Sequence, residues 1–290
     1  MRTFCNFGAH NQLEAIALGI DGIRLDVPAD GALDGFVRQF IGPDTVDADF
    51  LLHDPNRVAE LLDAIDAAGL EHTRTHIEVF NEPPEKDNVD EVGYVDGVLD
   101  VLEVCGHRGY TGRVIAGAKL NLSASSLLWY ARTVPLFPED LTIAFHDYPY
   151  GLQSDDLAWP PATWARDPHQ AAIDNLRAIT GPRPLVCSEY GRHRGVEVRG
   201  QRRGGVEERL QEELIYWQYV DRLRLYADLG IVWTAIYQWQ DDPHLAPTDS
   251  QGLYGLHATD GITRKVQAYA LADWRTSGPG GGFSGMTGRT

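Results

Sequence analysis

Short runs of apolar and β-branched residues recur along the chain, separated by longer stretches in which apolar positions return every three or four residues. The runs at Arg2–Phe7, Gly22–Val27, Thr75–Phe80, Arg113–Ala118, Leu141–His146, Pro184–Ser188 and Ile231–Trp239 predict strands. Most do not alternate apolar with polar. A strand buried on both faces has no polar side to show, so these runs predict a parallel sheet covered on both sides. The stretches Gln12–Leu18, Arg57–Ala68, Val89–Cys105, Ser125–Val134, His169–Ile179 and Val206–Leu229 predict the helices between them. Steady alternation of strand and helix predicts an α/β fold, and this number of units fits a single closed (β/α)₈ barrel, the TIM barrel. Seven strands are clear. The missing one belongs third, and DADFLLHD (Asp47–Asp54) is its candidate. The Gly- and Asp-rich segment Pro28–Val46 reads as a long loop carrying one helix.

A chain of 290 residues matches one such barrel. The barrel is expected over residues 1–275. The tail from Thr276, TSGPGGGFSGMTGRT, is Gly/Ser-rich and is expected to be disordered. Charge narrows the partners. With 25 Lys and Arg against 42 Asp and Glu, the formal net charge is −17. Such a surface repels phosphate backbones, which argues against nucleic acid. No stretch approaches the roughly 18 apolar residues of a membrane span, so no membrane partner is expected. Cys5, Cys105 and Cys187 are odd in number and widely spaced, which speaks against a disulfide framework or zinc knuckle. The opening MRTFCNFGAHNQ lacks a basic stretch followed by an apolar run. The expectation is a cytoplasmic chain, with export left open for one whose leader has been removed.

In a barrel of this kind chemistry sits at the carboxyl ends of the strands. The fourth strand ends in Asn81-Glu82, the sixth in FHDYPY with His146 and Tyr148, and the seventh in Glu189-Tyr190-Gly191. The eighth ends in Trp239 before the pair Asp241-Asp242, and the second carries Arg24. Glu82 and Glu189 stand on strands three apart in an eight-strand ring, so their carboxyl groups can face each other across the mouth. Glycoside cleavage needs two carboxyl groups, one protonated and one ionised. An isolated Asn-Glu-Pro is usually only a turn, and it is the second Glu at another strand end that shifts the balance toward chemistry.

Taken together, N-E-P at strand four, H-x-Y at strand six, E-Y-G at strand seven and Trp at strand eight resemble the clan A retaining glycoside hydrolases. The cellulase/mannanase-type family (family five) is the nearest likeness. Glu78 matches that family's E-x-x-N-E-P habit, and YGLHATDGITRKVQAYAL (Tyr254–Leu271) is similar to the closing segment of such barrels. The resemblance implies a retaining O-glycosidase acting on a β-linked glycan, with no cofactor and no metal. It implies Glu82 as acid/base, with a raised pKa from burial and a neighbouring carboxylate. It implies Glu189 as nucleophile, kept ionised by Arg24 and Tyr148. Asn81 would bond the sugar 2-OH, His146 would tune the proton on Glu82, and Trp239 would stack beneath the sugar. At the third strand the family's polar end is not clear, and His53 is the candidate; Asn6 or His10 is the candidate at the first.

Other readings stay open. A glycan-binding barrel without catalysis has the same residues. A metal-dependent barrel hydrolase is thinkable with ten His, although no H-x-H opens the first strand and no ligand cluster stands out. The loop Arg192–Gly205 holds five Arg and one Glu up to Arg203, a local charge of +4. It is either a solvated loop or a lid for an anionic glycan, since Arg pairs bidentately with carboxylate or phosphate. Trp159 and Trp164 are either sugar platforms or loop anchors. Cys187, two residues before Glu189 and so expected on the same strand face, is a packing residue in preference to a nucleophile.

Overall fold

The computed structural model describes residues 1–6, 18–40, 47–148, 166–191, 206–238, 256 and 264–277. Eight parallel strands close into a barrel in sequence order. They are β1 (Arg2–Asn6), β2 (Gly22–Asp26), β3 (Asp47–Leu52), β4 (Thr75–Val79), β5 (Arg113–Ala116), β6 (Thr142–Asp147), β7 (Leu185–Tyr190) and β8 (Trp233–Ile236). The described helices are α1 (Leu33–Phe40), α2 (Val58–Ala67), α3 (Glu91–His107), α4 (Ala124–Thr133), α5 (Arg166–Thr180), α6 (Val206–Asp228) and α7 (Val266–Ser277). DADFLL does form the third strand, pairing with β2 on one side and β4 on the other. The helix expected in Pro28–Val46 is α1. The one expected at Gln12–Leu18 lies outside the described residues apart from Leu18. Thr276 and Ser277, assigned to the tail on composition, belong to α7; residues 278–290 lie outside the described residues.

Strand burial explains the continuous apolar runs. Every residue of β3, β4, β6, β7 and β8 is buried. The larger core lies between barrel and helices. A smaller one fills the lower barrel: Phe4, Ile115, Ala118, Ala144, Val186, Trp233 and Ala235. The Phe4 and Trp233 rings stack at 4.5 Å. Gly22 makes room for this plug, since a Cβ there would lie 2.3 Å from the Phe4 ring. Truncating such a ring costs about 3–5 kcal/mol, so this end of the barrel is a packed floor. Polar residues collect above it. Helix starts carry their caps: Asp90 accepts from the Gly93 N–H at 2.8 Å to open α3, and Ser123 from Ser126 to open α4. Among the described residues no helix is long and apolar enough to cross a membrane.

Candidate active site

β4 ends at Val79, and the next three residues turn the chain sharply. Phe80 has φ 68° and Glu82 φ 52°, the left-handed region that side-chain-bearing residues seldom occupy. Each such residue costs about 1–3 kcal/mol and persists only where its surroundings enforce it. Here they do. Phe80 N–H donates to Leu52 O at 3.0 Å and Glu82 N–H to Ala118 O at 2.8 Å. The Phe80 ring packs outward near Tyr94, at 5.9 Å between ring centres. Gly117 is what lets the turn lie so close to β5, because a Cβ there would meet Phe80 O at 1.8 Å. Asp87 Oδ2 accepts from Asn81 N–H at 2.5 Å, and its other oxygen bonds His53 Nδ1 at 2.8 Å. Lys119 Nζ donates to Pro83 O at 2.5 Å and pairs with Glu85. The segment after Asn-Glu-Pro-Pro thus folds back to clamp the residues before it.

β7 aims the second carboxylate by another device. Phe145 of β6 pairs with Cys187 but His146 with Glu189, so β7 carries one extra residue at this point, a β-bulge. The bulge breaks the alternation of faces. Cys187 points outward, with its thiol 3.6 Å from the Tyr226 hydroxyl of α6, whereas Ser188 and Glu189 both reach inward, to Glu78 and Arg24. The expectation that Cys187 and Glu189 share a face is therefore corrected. Burial pushes the Cys187 thiol well above its ordinary value, which fits a packing role.

Arg24, from β2, is the hub. It is buried and donates from Nε to Glu78 at 2.6 Å, from Nη1 to Glu189 Oε1 at 3.0 Å and from Nη2 to Asn81 Oδ1 at 3.4 Å. Asp49 of β3 lies 3.7 Å from Nε. Burial works against this cation, but Glu78, Glu189 and Asp49 outweigh it and hold its pKa well above the ordinary value. Burial, and then the neighbouring Glu78 charge, drive the Asp49 carboxyl far upward.

Each oxygen of the Glu82 and Glu189 carboxylates meets a protein donor or His nitrogen. Glu82 Oε1 bonds His146 Nδ1 at 2.9 Å and Oε2 pairs with Lys86 Nζ at 2.8 Å. Glu189 Oε1 takes Arg24, and Oε2 accepts from the Tyr148 hydroxyl at 2.6 Å. Burial and then Glu189 raise the Tyr148 pKa, so the phenol stays a donor. His146 Nδ1 also lies 3.6 Å from Glu189 Oε2. Oxygens of Glu82 and Glu189 and a nitrogen of His146 fall within 4.8 Å of one another. One expectation is overturned here. Burial alone would raise the Glu82 carboxyl, but the hydrogen bond and charge of His146, with Lys86, outweigh it and pull the pKa down to about 2.

Glu82, His146 and Glu189 are close enough to share a metal ion. Their four carboxylate oxygens are already bonded to His146, Lys86, Arg24 and Tyr148. An ion would have to displace these partners, and Lys86 and Arg24 already supply positive charge, so the donor set fits a metal poorly.

The structure therefore brings together Glu82, Glu189, Asn81, Arg24, His146 and Tyr148, all named from sequence. Trp239, His10, Trp159, Trp164, Asp241-Asp242 and the Arg192–Gly205 loop lie outside the described residues. His53 sits at the rim, holding Asp87, with Asp26 3.8 Å away. Its bonds to Asp26 and Asp87 raise its pKa to about 9. Asn6 donates to Ser188 O at 3.2 Å. Asp49, Lys86, Asp87, Ser188 and Lys119 were not singled out. Lys86 alone had a signal, the spacing of four from Glu82 in NEPPEK.

No family model matches the chain, and no curated protein matches it. Solved structures do share the fold. One is an active-site mutant of a β-1,3-glucanosyltransferase from Rhizomucor miehei in complex with laminaritriose. It has TM-score 0.60 and 14% identity, over 91% of this chain and 96% of that one. Another is a GH128 (subgroup II) endo-β-1,3-glucanase from Sorangium cellulosum, with TM-score 0.58 and 15% identity, over 94% and 98%. A third is a GH10 structure from Paenibacillus barcinonensis, with TM-score 0.60 and 11% identity, over 95% of each. At these identities the likeness establishes the barrel, and its neighbours are glycoside hydrolases of that barrel type. It does not single out the cellulase/mannanase-type family.

Proposed function

We propose that this chain is a retaining O-glycoside hydrolase of clan A type acting on a β-linked glycan. The observation that carries the reading is the approach of the Glu82 and Glu189 carboxylates to within 4.8 Å at the barrel mouth. Retaining enzymes hold this pair about 5–5.5 Å apart and inverting ones about 6.5–9.5 Å, to leave room for water. Glu189 attacks the anomeric carbon. Arg24 and the Tyr148 hydroxyl fix both its oxygens, so the lone pair is aimed and the leaving carboxylate is stabilised when the glycosyl–enzyme bond breaks. Glu82 protonates the departing oxygen and then takes a proton from water. His146 lies against both carboxylates and holds Glu82 Oε1 in place. Asn81, oriented by Arg24, meets the sugar 2-OH.

Two structural neighbours act on β-1,3-glucan by their descriptions, so laminarin supplies a neutral member of the substrate panel. The test is sugar release from neutral and acidic β-glycans by the wild type beside Glu189→Gln. Release by the first and not the second supports the reading. Equal release by both refutes it. Glu82, His146 and Glu189 lie close enough to share an ion, although their oxygens already have partners, so a metal-dependent hydrolase is the rival that the test must exclude. Activity that dies in chelator and returns with a divalent ion would favour it instead.

A further inference from the structure

Lys86 has no part in the mechanism above, yet it holds one oxygen of the proposed acid. Its Nζ lies 2.8 Å from Glu82 Oε2, and its side chain is 54% exposed where that of Glu82 is 2% exposed. The pairing is built in: Lys86 N–H donates to Glu82 O at 3.0 Å, closing one turn that stacks the two side chains. The next residue, Asp87, bonds His53 and Asn81 N–H, which holds Lys86 over the mouth. This places an accessible ammonium on the oxygen that must carry the proton.

A carboxylate gripped this way is a poor acid. The groups facing Glu82 are Lys86 from its own loop, His146 and Tyr148 at the end of β6, and Glu189 from β7. Arg24 from β2 and Tyr130 from α4 lie behind them. His146 and Lys86 together hold it ionised. His146 is sealed inside the barrel, whereas Lys86 is half in water. A neutral hydroxyl competes weakly with a carboxylate for an ammonium, because charge-assisted hydrogen bonds are roughly twice as strong as neutral ones. Only an anionic group on the ligand draws Lys86 off without leaving a bare charge.

We infer that Lys86 is a positioning and specificity residue: it receives the carboxylate of an acidic sugar on the leaving-group side and, by leaving Glu82, lets Glu82 take up its proton. This rests on the glycosidase reading and names its substrate class, a uronate-bearing glycan. Proton loading is then coupled to recognition. A neutral glycan leaves Glu82 ionised, and an acidic one arms it.

The test reads binding and titration, not turnover. The Glu82 carboxyl is titrated by NMR in protein carrying ¹³C-labelled Glu, with Glu82→Gln to assign the signal. D-glucuronate, D-galacturonate and D-glucose serve as probes. In free protein Lys86→Met is expected to raise the Glu82 midpoint by about one pH unit or more, while Lys86→Arg keeps it low. A uronate is expected to raise the wild-type midpoint and glucose to leave it alone. Lys86→Met is expected to weaken uronate binding about tenfold or more. An unchanged midpoint in Lys86→Met overturns the inference. So does a uronate that moves the midpoint no more than glucose, or that binds Lys86→Met as tightly as wild type. These readings hold whether or not Glu189→Gln abolishes sugar release, so failure here and failure of the glycosidase reading are separate results.

Discussion

Two carboxylates in this barrel each meet a histidine and a cation, and they stand on opposite sides of one strand. His146 faces inward to Glu82, beside Lys86. Asp147, the next residue, faces outward. It pairs with His169 of α5, accepts from the Tyr226 hydroxyl of α6 at 2.5 Å, and lies 3.6 Å from Arg222 Nε. Burial would raise the Asp147 carboxyl, but His169 and Arg222 hold it well below its ordinary value. Glu82 is lowered in the same way. The chemistry of the two clusters is nearly the same. Their surroundings separate them. The described side-chain partners of Asp147 are buried and come from helices packed on the barrel, so the cluster ties α5 and α6 to β6. Glu82 faces a second carboxylate, and one of its partners reaches water. A His–carboxylate pair thus becomes a site through what lies opposite it and what can leave.

Substitutions can break this contrast. The largest effect belongs to the inner cluster. Glu189→Gln should cost on the order of 10⁴-fold or more in kcat, and Glu82→Gln about 10²–10⁴-fold on substrates whose leaving group needs a proton. Steady-state kinetics check the losses, and thermal unfolding should show Tm nearly unchanged. The outer cluster should give the reverse. Asp147→Ala leaves the buried Arg222 without its anion, at a cost of about 3–5 kcal/mol, with kcat per folded molecule little altered.

The sign of the pH effect follows from the lowered carboxyl. Stability from Asp147 is present above its unfolded value, near 3.8, and is lost as pH falls through the lower folded value. The Tm gap between wild type and Asp147→Ala should be full at neutral pH and shrink as pH falls below about 4.

His146→Asn sharpens the comparison from the inner side. It removes a partner that holds Glu82 near 2, so the Glu82 pKa should rise. The alkaline limb of kcat/KM, which reports the acid of the free enzyme, should move to higher pH. The smallest effect belongs to Asp49→Asn. Burial works against a charge on Asp49, so the neutral amide should be tolerated there and unfolding should change by about 1 kcal/mol or less. Glu78→Gln, which takes an anion from Arg24, should cost clearly more in the same assay.

The frame of the barrel was legible because buried parallel strands write themselves as apolar runs. Even DADFLL, with two Asp in six residues, could be placed by counting units. The facing pair of Glu was legible because strand ends are where such folds put chemistry. What escaped has physical reasons. The β7 bulge shifts register without changing composition, so Cys187 seemed to share a face with Glu189. The Glu82 proton depends on Lys86 and His146, which approach it from different elements. Asp49 reads as one more polar residue in a weak strand, and only burial beside Glu78 drives its carboxyl upward. Asp87 and Lys119 act through long-range clamps on the turn, which spacing along the chain does not encode.

The most direct measurement is the stereochemistry of the first product. Proton NMR, taken in the first minutes of cleavage of a responsive β-glycan, reads the anomer before mutarotation scrambles it. Retention, a β-anomer released by wild type and not by Glu189→Gln, is the result expected from two carboxylates this close. An α-anomer, or undiminished release by Glu189→Gln, would contradict a double displacement at Glu189.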